Sequence, residues 1–297
     1  MSWLDTFHEY LRSSSRFWVE DEAERYAFLS DRERQALKRK KQQLKKRGAQ
    51  IVKTVVDGRI MNQHQFEGQR TVRYGLYAQH LVRQKNDFYV EEEIEDRQIR
   101  FQHDKLIMDE RMASEGSEST APSLERVTMD SSRSKFRYRR LEAVRYADKW
   151  WNAYNPAYRT FDVDCTNYVS QCLRAGGSPM VGQPNRSRGW WYGGRNWSFS
   201  WAVAHSLRWY LSGATAGLRA REMTSADQLI PGDVICYDFE GDGRWDHSTI
   251  VTARDPKGEP LVNAHTANCR RHYWAYEDSV AWTPDIQYKF FRIADGE

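Results

Sequence analysis

The sequence predicts an α+β protein built in two parts, and three observations predict it. Residues 1–112 join a highly charged helix-forming stretch to segments of period two; residues 113–134 are small, polar and aperiodic; residues 135–297 hold a helical period followed by strand-like runs. The 297 residues suffice for two domains of about 100–200 residues each. Ten of the twelve tryptophans lie after residue 149, whereas the charge runs are concentrated before it.

In the first part, good helix formers run from Ser30 to Arg47, and Gly48 ends them; Leu29, Ala36, Leu37 and Leu44 form a thin apolar stripe. Antiparallel strands are then expected at 51–56, 71–77, 87–94 and 99–107, with Asp57-Gly58 as a turn after the first. The sequence assigns this module no role. The basic run 38–47 suggests a polyanion partner, but cations suit the negative end of a helix, and such runs are ordinarily solvated surface. With 45 basic against 41 acidic residues, no nucleic-acid partner is expected. The 113–134 stretch reads as a flexible linker.

In the second part, Asp162 or Asp164 caps a helix that Gly176-Gly177 terminates. Cys165, Tyr168, Val169, Cys172 and Leu173 recur at the spacing of a buried face. Cys165 falls in the first turn, where free N–H groups and the positive dipole end favour a thiolate; Cys172, at mid-helix, reads as core. The four cysteines lack paired CxxC spacing, so reduced thiols, no metal and no cofactor are expected. Downstream, 229–239 reads as a turn and a strand, 240–243 as a hairpin, 245–252 as the returning strand, 255–258 as a turn and 261–266 as a third strand. His247 therefore begins a central strand, and Asn263 or His265 on its neighbour is placed to orient the imidazole. A thiol, an imidazole and a polar orienter make a nucleophilic system, with Cys165 attacking and His247 as general base. Trp190, Trp191, Trp197 and Trp201 are either the wall of a substrate groove or ordinary packing. Asp238-x-Glu240-x-Asp242-Gly243 imitates the opening of a calcium loop, but its twelfth position is Thr249, and turn chemistry explains it better.

Asp164-Cys165-Thr166-Asn167-Tyr168-Val169-Ser170-Gln171-Cys172, then Pro231-Gly232-Asp233, Gly241 through Thr252, and Ala264-His265-Thr266 resemble the Putative amidase domain of Gram-positive bacteria, a relative of the NlpC/P60 and CHAP cysteine peptidases. Trp150 to Tyr158 resembles the family's segment before the nucleophile, and the whole resemblance covers roughly 141–292. It implies a papain-like (NlpC/P60-like) fold, a helix bearing Cys165 against an antiparallel sheet bearing His247. The family pattern favours His265-Thr266 for the third residue, with Asn263 as the alternative register. The implied activity is cysteine-dependent amide hydrolysis through a thioester, on peptidoglycan stem peptides or related peptides. The backbone N–H of Cys165 would hold the oxyanion, and Asp164 and Tyr154 would support the site. The competing readings are a non-catalytic peptide-binding module and a thioester acyltransferase. Mean hydropathy is −0.84, which excludes a membrane span. The N-terminal residues lack the basic-then-apolar order of a secretory signal, which gives a cytoplasmic default with cell-wall action left open.

Overall fold

The computed structural model describes residues 2–20, 27–112 and 136–294. The expected linker, 113–134, lies outside them. The chain divides into two units, Met1–Ala113 with Ala275–Trp282, and Ser114–Trp274 with Thr283–Glu297.

The N-terminal unit comprises helices α1 (Trp3–Glu20) and α2 (Asp31–Arg47) and strands β1 (Ala49–Phe66), β2 (Gln69–Gln84), β3 (Asp87–Gln102) and β4 (Lys105–Arg111). Each strand pairs antiparallel with the next. The α2 boundaries follow from the residues foreseen. Ser30 and Glu33 form a capping box, and Gly48 closes the helix in the left-handed region at φ 63°. Helix α1 was not foreseen, although Phe7, Tyr10, Leu11, Ser14 and Phe17 form its buried stripe. Phe7, Tyr10 and Leu11 pack with Val72, Tyr74, Leu76, Ile99 and Phe101 of the sheet.

Two strand boundaries differ from expectation. Asp57-Gly58 is no turn, because β1 runs through it, and the chain turns instead at Glu67 and Gly68. A Cβ at Gly58 would lie 2.6 Å from Leu11 Cδ1 and 3.1 Å from Phe7 Cζ. Glycine is there to let α1 approach the strand. Gly58→Val is thus expected to cost about 1–3 kcal/mol by overpacking, seen as lost amide protection in α1 and β1; unchanged protection would refute this account. Likewise 87–94 and 99–107 are not separate strands, since β3 is continuous to Gln102 and turns at His103 and Asp104.

The basic run is less solvated than expected. Lys40 is 3% exposed and its Nζ lies 2.6 Å from Glu91 and 3.3 Å from Asp278. Burial alone would lower this ammonium's pKa, but Glu91, Glu93 and Asp278 outweigh it and hold the pKa well above the ordinary lysine value. Buried Arg47 donates to Tyr89 Oη, and Arg39 donates to the carbonyls of Glu277 and Ser279. Arg97, also buried, joins α2, β3 and β4 through Glu33 at 2.8 Å, Glu95 at 2.5 Å and Asp109 at 3.0 Å. Tyr10 and Tyr74 both donate to Asp109.

The C-terminal unit contains α3 (Arg140–Trp150), α4 (Cys165–Ala175), a small hairpin of β5 (Tyr192–Gly193) and β6 (Asn196–Trp197), α5 (Phe199–Ala202), α6 (Ala204–Gly213), and strands β7 (Ala220–Met223), β8 (Val234–Asp238), β9 (His247–Arg254), β10 (Pro260–Ala264), β11 (Asn268–Tyr273) and β12 (Gln287–Ile293). The larger strands lie in the order β11-β10-β9-β8-β12-β7, antiparallel throughout. Helix α4 and strands β8 to β10 fall where the periodicity put them. Tyr168, Val169, Cys172 and Leu173 of α4 pack with Val234, Cys236, Ile250, Phe291 and Ile293. The Pro231-Gly232-Asp233 motif acts as a structural staple. Gly232 takes φ 93°, and the Asp233 carboxylate accepts from Ile230 N, Ile293 N and Arg140 Nη1.

Candidate active site

Cys165 is the first residue of α4 and 1% exposed. Its Sγ lies 3.7 Å from Thr166 Oγ1 and receives a hydrogen bond from the backbone of Ser248. Thr166 Oγ1 in turn donates to Ser248 Oγ at 3.3 Å, and Cys236 Sγ lies 3.9 Å from the same hydroxyl. Burial pushes the Cys165 thiol's pKa up, more than the Ser248 and Thr166 hydrogen bonds pull it down, and the Asp164 charge adds to the rise. That is the reverse of the depressed thiol expected from the helix terminus alone. Burial likewise pushes Cys236 up to about 12.

Asp164 stands at the N-cap but makes no side-chain cap bond. Its Oδ1 accepts from Phe161 N at 3.0 Å and Asn167 Nδ2 at 2.9 Å, while Oδ2 lies 2.8 Å from His265 Nδ1. His265 Nε2 meets the Trp150 carbonyl at 2.7 Å. The imidazole stacks on Tyr168 at 4.0 Å and meets the edge of Tyr154 at 5.0 Å. Thr266 adopts φ 76°, unfavourable for a β-branched residue, and its hydroxyl accepts from Asp164 N at 3.0 Å. His265-Thr266 thus clamps the residue preceding Cys165. His265 does not orient His247 here, because both its ring nitrogens are engaged by Asp164 and Trp150. Nor does Asn263, whose Oδ1 accepts from Thr252 Oγ1 and Arg271 N and whose Nδ2 donates to Asp148.

His247 opposes Tyr237 across the β8–β9 ladder, and its ring lies 5.6 Å from Tyr237 and 6.2 Å from Phe239. Strand alternation puts His247, Thr249 and Tyr237 on one face of the sheet. Cys236, Ser248 and Ile250 take the other face, the one that α4 covers. On β9, therefore, Ser248 is directed at α4. His247 begins this strand, as its place in the chain led one to expect, but the sequence could not fix its facing, which a one-residue step inverts. Burial, helped by the charge of His272, lowers His247 to about 3 from 6.5, so its imidazole is neutral at physiological pH. A base with a depressed folded-state pKa stabilises nothing by protonation. Relative to its value above pH 6.5, stability is lost as pH falls toward 3. His247→Gln is expected to flatten this acid limb, whose slope approaches about 1.4 kcal/mol per pH unit; identical urea midpoints for wild type and variant across pH 4–6.5 would contradict it.

Of the four tryptophans read as either groove wall or packing, three take the packing role, and Trp197 is half-buried. Trp190, Trp191 and Trp201 are essentially fully buried. Their indole N–H groups donate to Ser170 Oγ, to the carbonyls of Asn185 and Arg188, and to Asn167 Oδ1 respectively. Tyr154 is 46% exposed beside His265, with its hydroxyl's pKa raised by partial burial and by Asp164. In the β8–β9 hairpin, Asp238 accepts from the N–H groups of Gly241, Asp242 and Gly243, which is turn chemistry. Glu240 and Asp246 offer carboxylates within 4.8 Å of one another and of Asp238. Burial, followed by Glu240 and Asp238, raises Asp246 to about 7.

A profile of the Putative amidase domain matches residues 137–291, just over half of the 297, and encloses α4, the Pro-Gly-Asp staple, His247 and His265. The chain belongs to the Putative amidase domain family. The family's description as a Putative amidase domain points, at a coarse level, to amide hydrolysis. Among its relatives, the uncharacterized protein YhbB of Bacillus subtilis (strain 168) is 46% identical over 268 residues, covering 87% of this chain and 86% of its own. The uncharacterized protein YjcM of the same strain is 32% identical over 140 residues, covering 44% of this chain and 31% of its own. No solved structure matches the chain. Among the described residues, no helix of the amidase domain or of the N-terminal unit is long and apolar enough to cross a membrane.

Proposed function

We propose that the amidase domain is a cysteine-dependent hydrolase of papain-like type that cleaves peptide amide bonds, peptidoglycan stem peptides among them, through a thioester on Cys165. One observation carries the reading. The thiol sits at the start of α4, against the backbone of the strand that begins with His247, and Thr266 and His265 fix Asp164, the residue before it. In the reaction the Cys165 proton passes to His247, sulfur bonds to the carbonyl carbon, and the C–N bond breaks as the leaving amine takes that proton. Water then hydrolyses the thioester and restores the thiol. The N–H of Cys165, in the first turn with no intrahelical acceptor, faces the developing oxyanion. A neutral imidazole is the form able to accept the proton. The reaction requires the buried thiol to be uncovered and His247 to turn about the start of β9 from the far face of the sheet.

A second reading, a non-catalytic peptide-binding module on the same scaffold, draws on that closure. The thiol is buried and its pKa raised, and the imidazole lies on the far face of the sheet. Acyl capture separates the two. The full chain is incubated with an activated N-acetyl-dipeptide ester and analysed by intact-mass and peptide-mass spectrometry. The hydrolase gives an acyl adduct on Cys165 that His247→Ala suppresses. Labelling spread equally over the four cysteines, or none, would favour the binding module.

A further inference from the structure

Arg208 on α6 is 8% exposed, and its Nε and Nη1 are out of solvent with no hydrogen-bond partner among the described residues. Its guanidinium lies 3.8 Å over the Trp209 ring and 5.1 Å from that of Trp245, two residues before His247. The ring nitrogens of His205 lie 3.3 Å from the backbone N of Trp245 and 3.1 Å from the indole Nε1 of Trp209, so the imidazole stands between the main chain of one tryptophan and the ring of the other. Two aromatic faces compensate part of a cation's desolvation, but they leave directional N–H donors unused, and buried donors without acceptors are costly. Glu222, whose charge reaches Arg208, is already paired with Lys289. The field of Arg208 also reaches Cys236, which touches the Ser248 hydroxyl at the Cys165 site, and it reaches His205 together with that of Arg244. A planar cation only partly compensated by its two aromatic neighbours, beside the start of β9, is suited to an incoming carboxylate, which matches its fork of donors.

We propose that Arg208 is a specificity-determining residue that receives a carboxylate of the substrate, so that the amides cleaved belong to peptides with a free acid group near the scissile bond. This rests on the amide-hydrolase reading, and its test is made by binding so that the two are judged separately. In a Cys165→Ala background of the full chain, isothermal titration compares N-acetyl-alanyl-alanine with its C-terminal carboxamide. The acid is expected to bind at least about tenfold more tightly than the carboxamide. Arg208→Gln is expected to bring the two within about twofold, and Arg208→Lys to retain part of the preference. Circular dichroism establishes that each variant is folded, and the lysine variant keeps the test decisive if the glutamine variant is not. Equal binding of acid and carboxamide by the parent, binding of neither, or a preference that survives Arg208→Gln would overturn the proposal. Acyl capture failing at Cys165 while the carboxylate preference holds would instead reject the hydrolase and keep Arg208 as an anion site.

Discussion

Cys165→Ala is expected to lower peptide-amide cleavage by about 10⁴-fold or more, the usual size of a lost nucleophile, without unfolding the domain. The substitution removes a single buried sulfur whose contacts are Thr166 and the backbone of Ser248, a change on the order of 1 kcal/mol in stability. Cys165→Ser keeps an atom able to accept from Ser248. However, it places a far less acidic group where burial already opposes ionisation, so its activity should lie near that of the alanine variant. Release of amine from acetylated peptide amides, with circular dichroism alongside, reads both effects. Cleavage by Cys165→Ala at the parental rate would remove the thiol from the mechanism.

Arg97→Met is the largest stability change expected, at about 3–5 kcal/mol in the N-terminal unit. Arg97 is 3% exposed, and Asp109, at 1%, accepts from it, from Tyr10 and from Tyr74. Methionine fills the space but leaves Glu33, Glu95 and Asp109 as carboxylates with their shared cation gone. Burial and the neighbouring charges of Asp109, Glu95 and Glu33 oppose one another at Arg97. The negative charges prevail, holding its pKa well above the ordinary value. Because the chain has two units, hydrogen exchange over β1–β4 measures the loss better than a global midpoint. Adding Asp109→Asn to Arg97→Met is expected to restore part of the protection. Protection in the single variant equal to wild type would show that the network contributes nothing net.

What the sequence made legible was whatever local periodicity encodes. Helix α4 with Cys165 at its start, α2 with Ser30 and Gly48 at its ends, and the β8–β9–β10 succession follow from spacing and turn residues alone. The failures share one physical cause, which is that they depend on tertiary neighbours. Gly58 looks like a turn residue until Leu11 and Phe7 are seen above it. Lys40 looks solvated until Glu91 and Asp278 arrive from elsewhere in the chain. His265 matches the spacing of an orienting histidine, yet the carbonyl of Trp150 and the carboxylate of Asp164 occupy it. The polar group of Thr166, Ser248 and Cys236 left only a weak trace, hydroxyls and a thiol on apolar-facing positions of α4, β8 and β9.

The Ala275–Trp282 segment ties the order of synthesis to the order of folding. The N-terminal unit is made first but cannot be completed first, since Lys40 must wait for Asp278, and Arg39 for the carbonyls of Glu277 and Ser279. A nascent chain therefore carries the ammonium of Lys40 without one of its partners until Asp278 has been made. Severing the chain after residue 135 would release neither half intact. The early half would lack its last piece, and the late half would carry a loop made for another body.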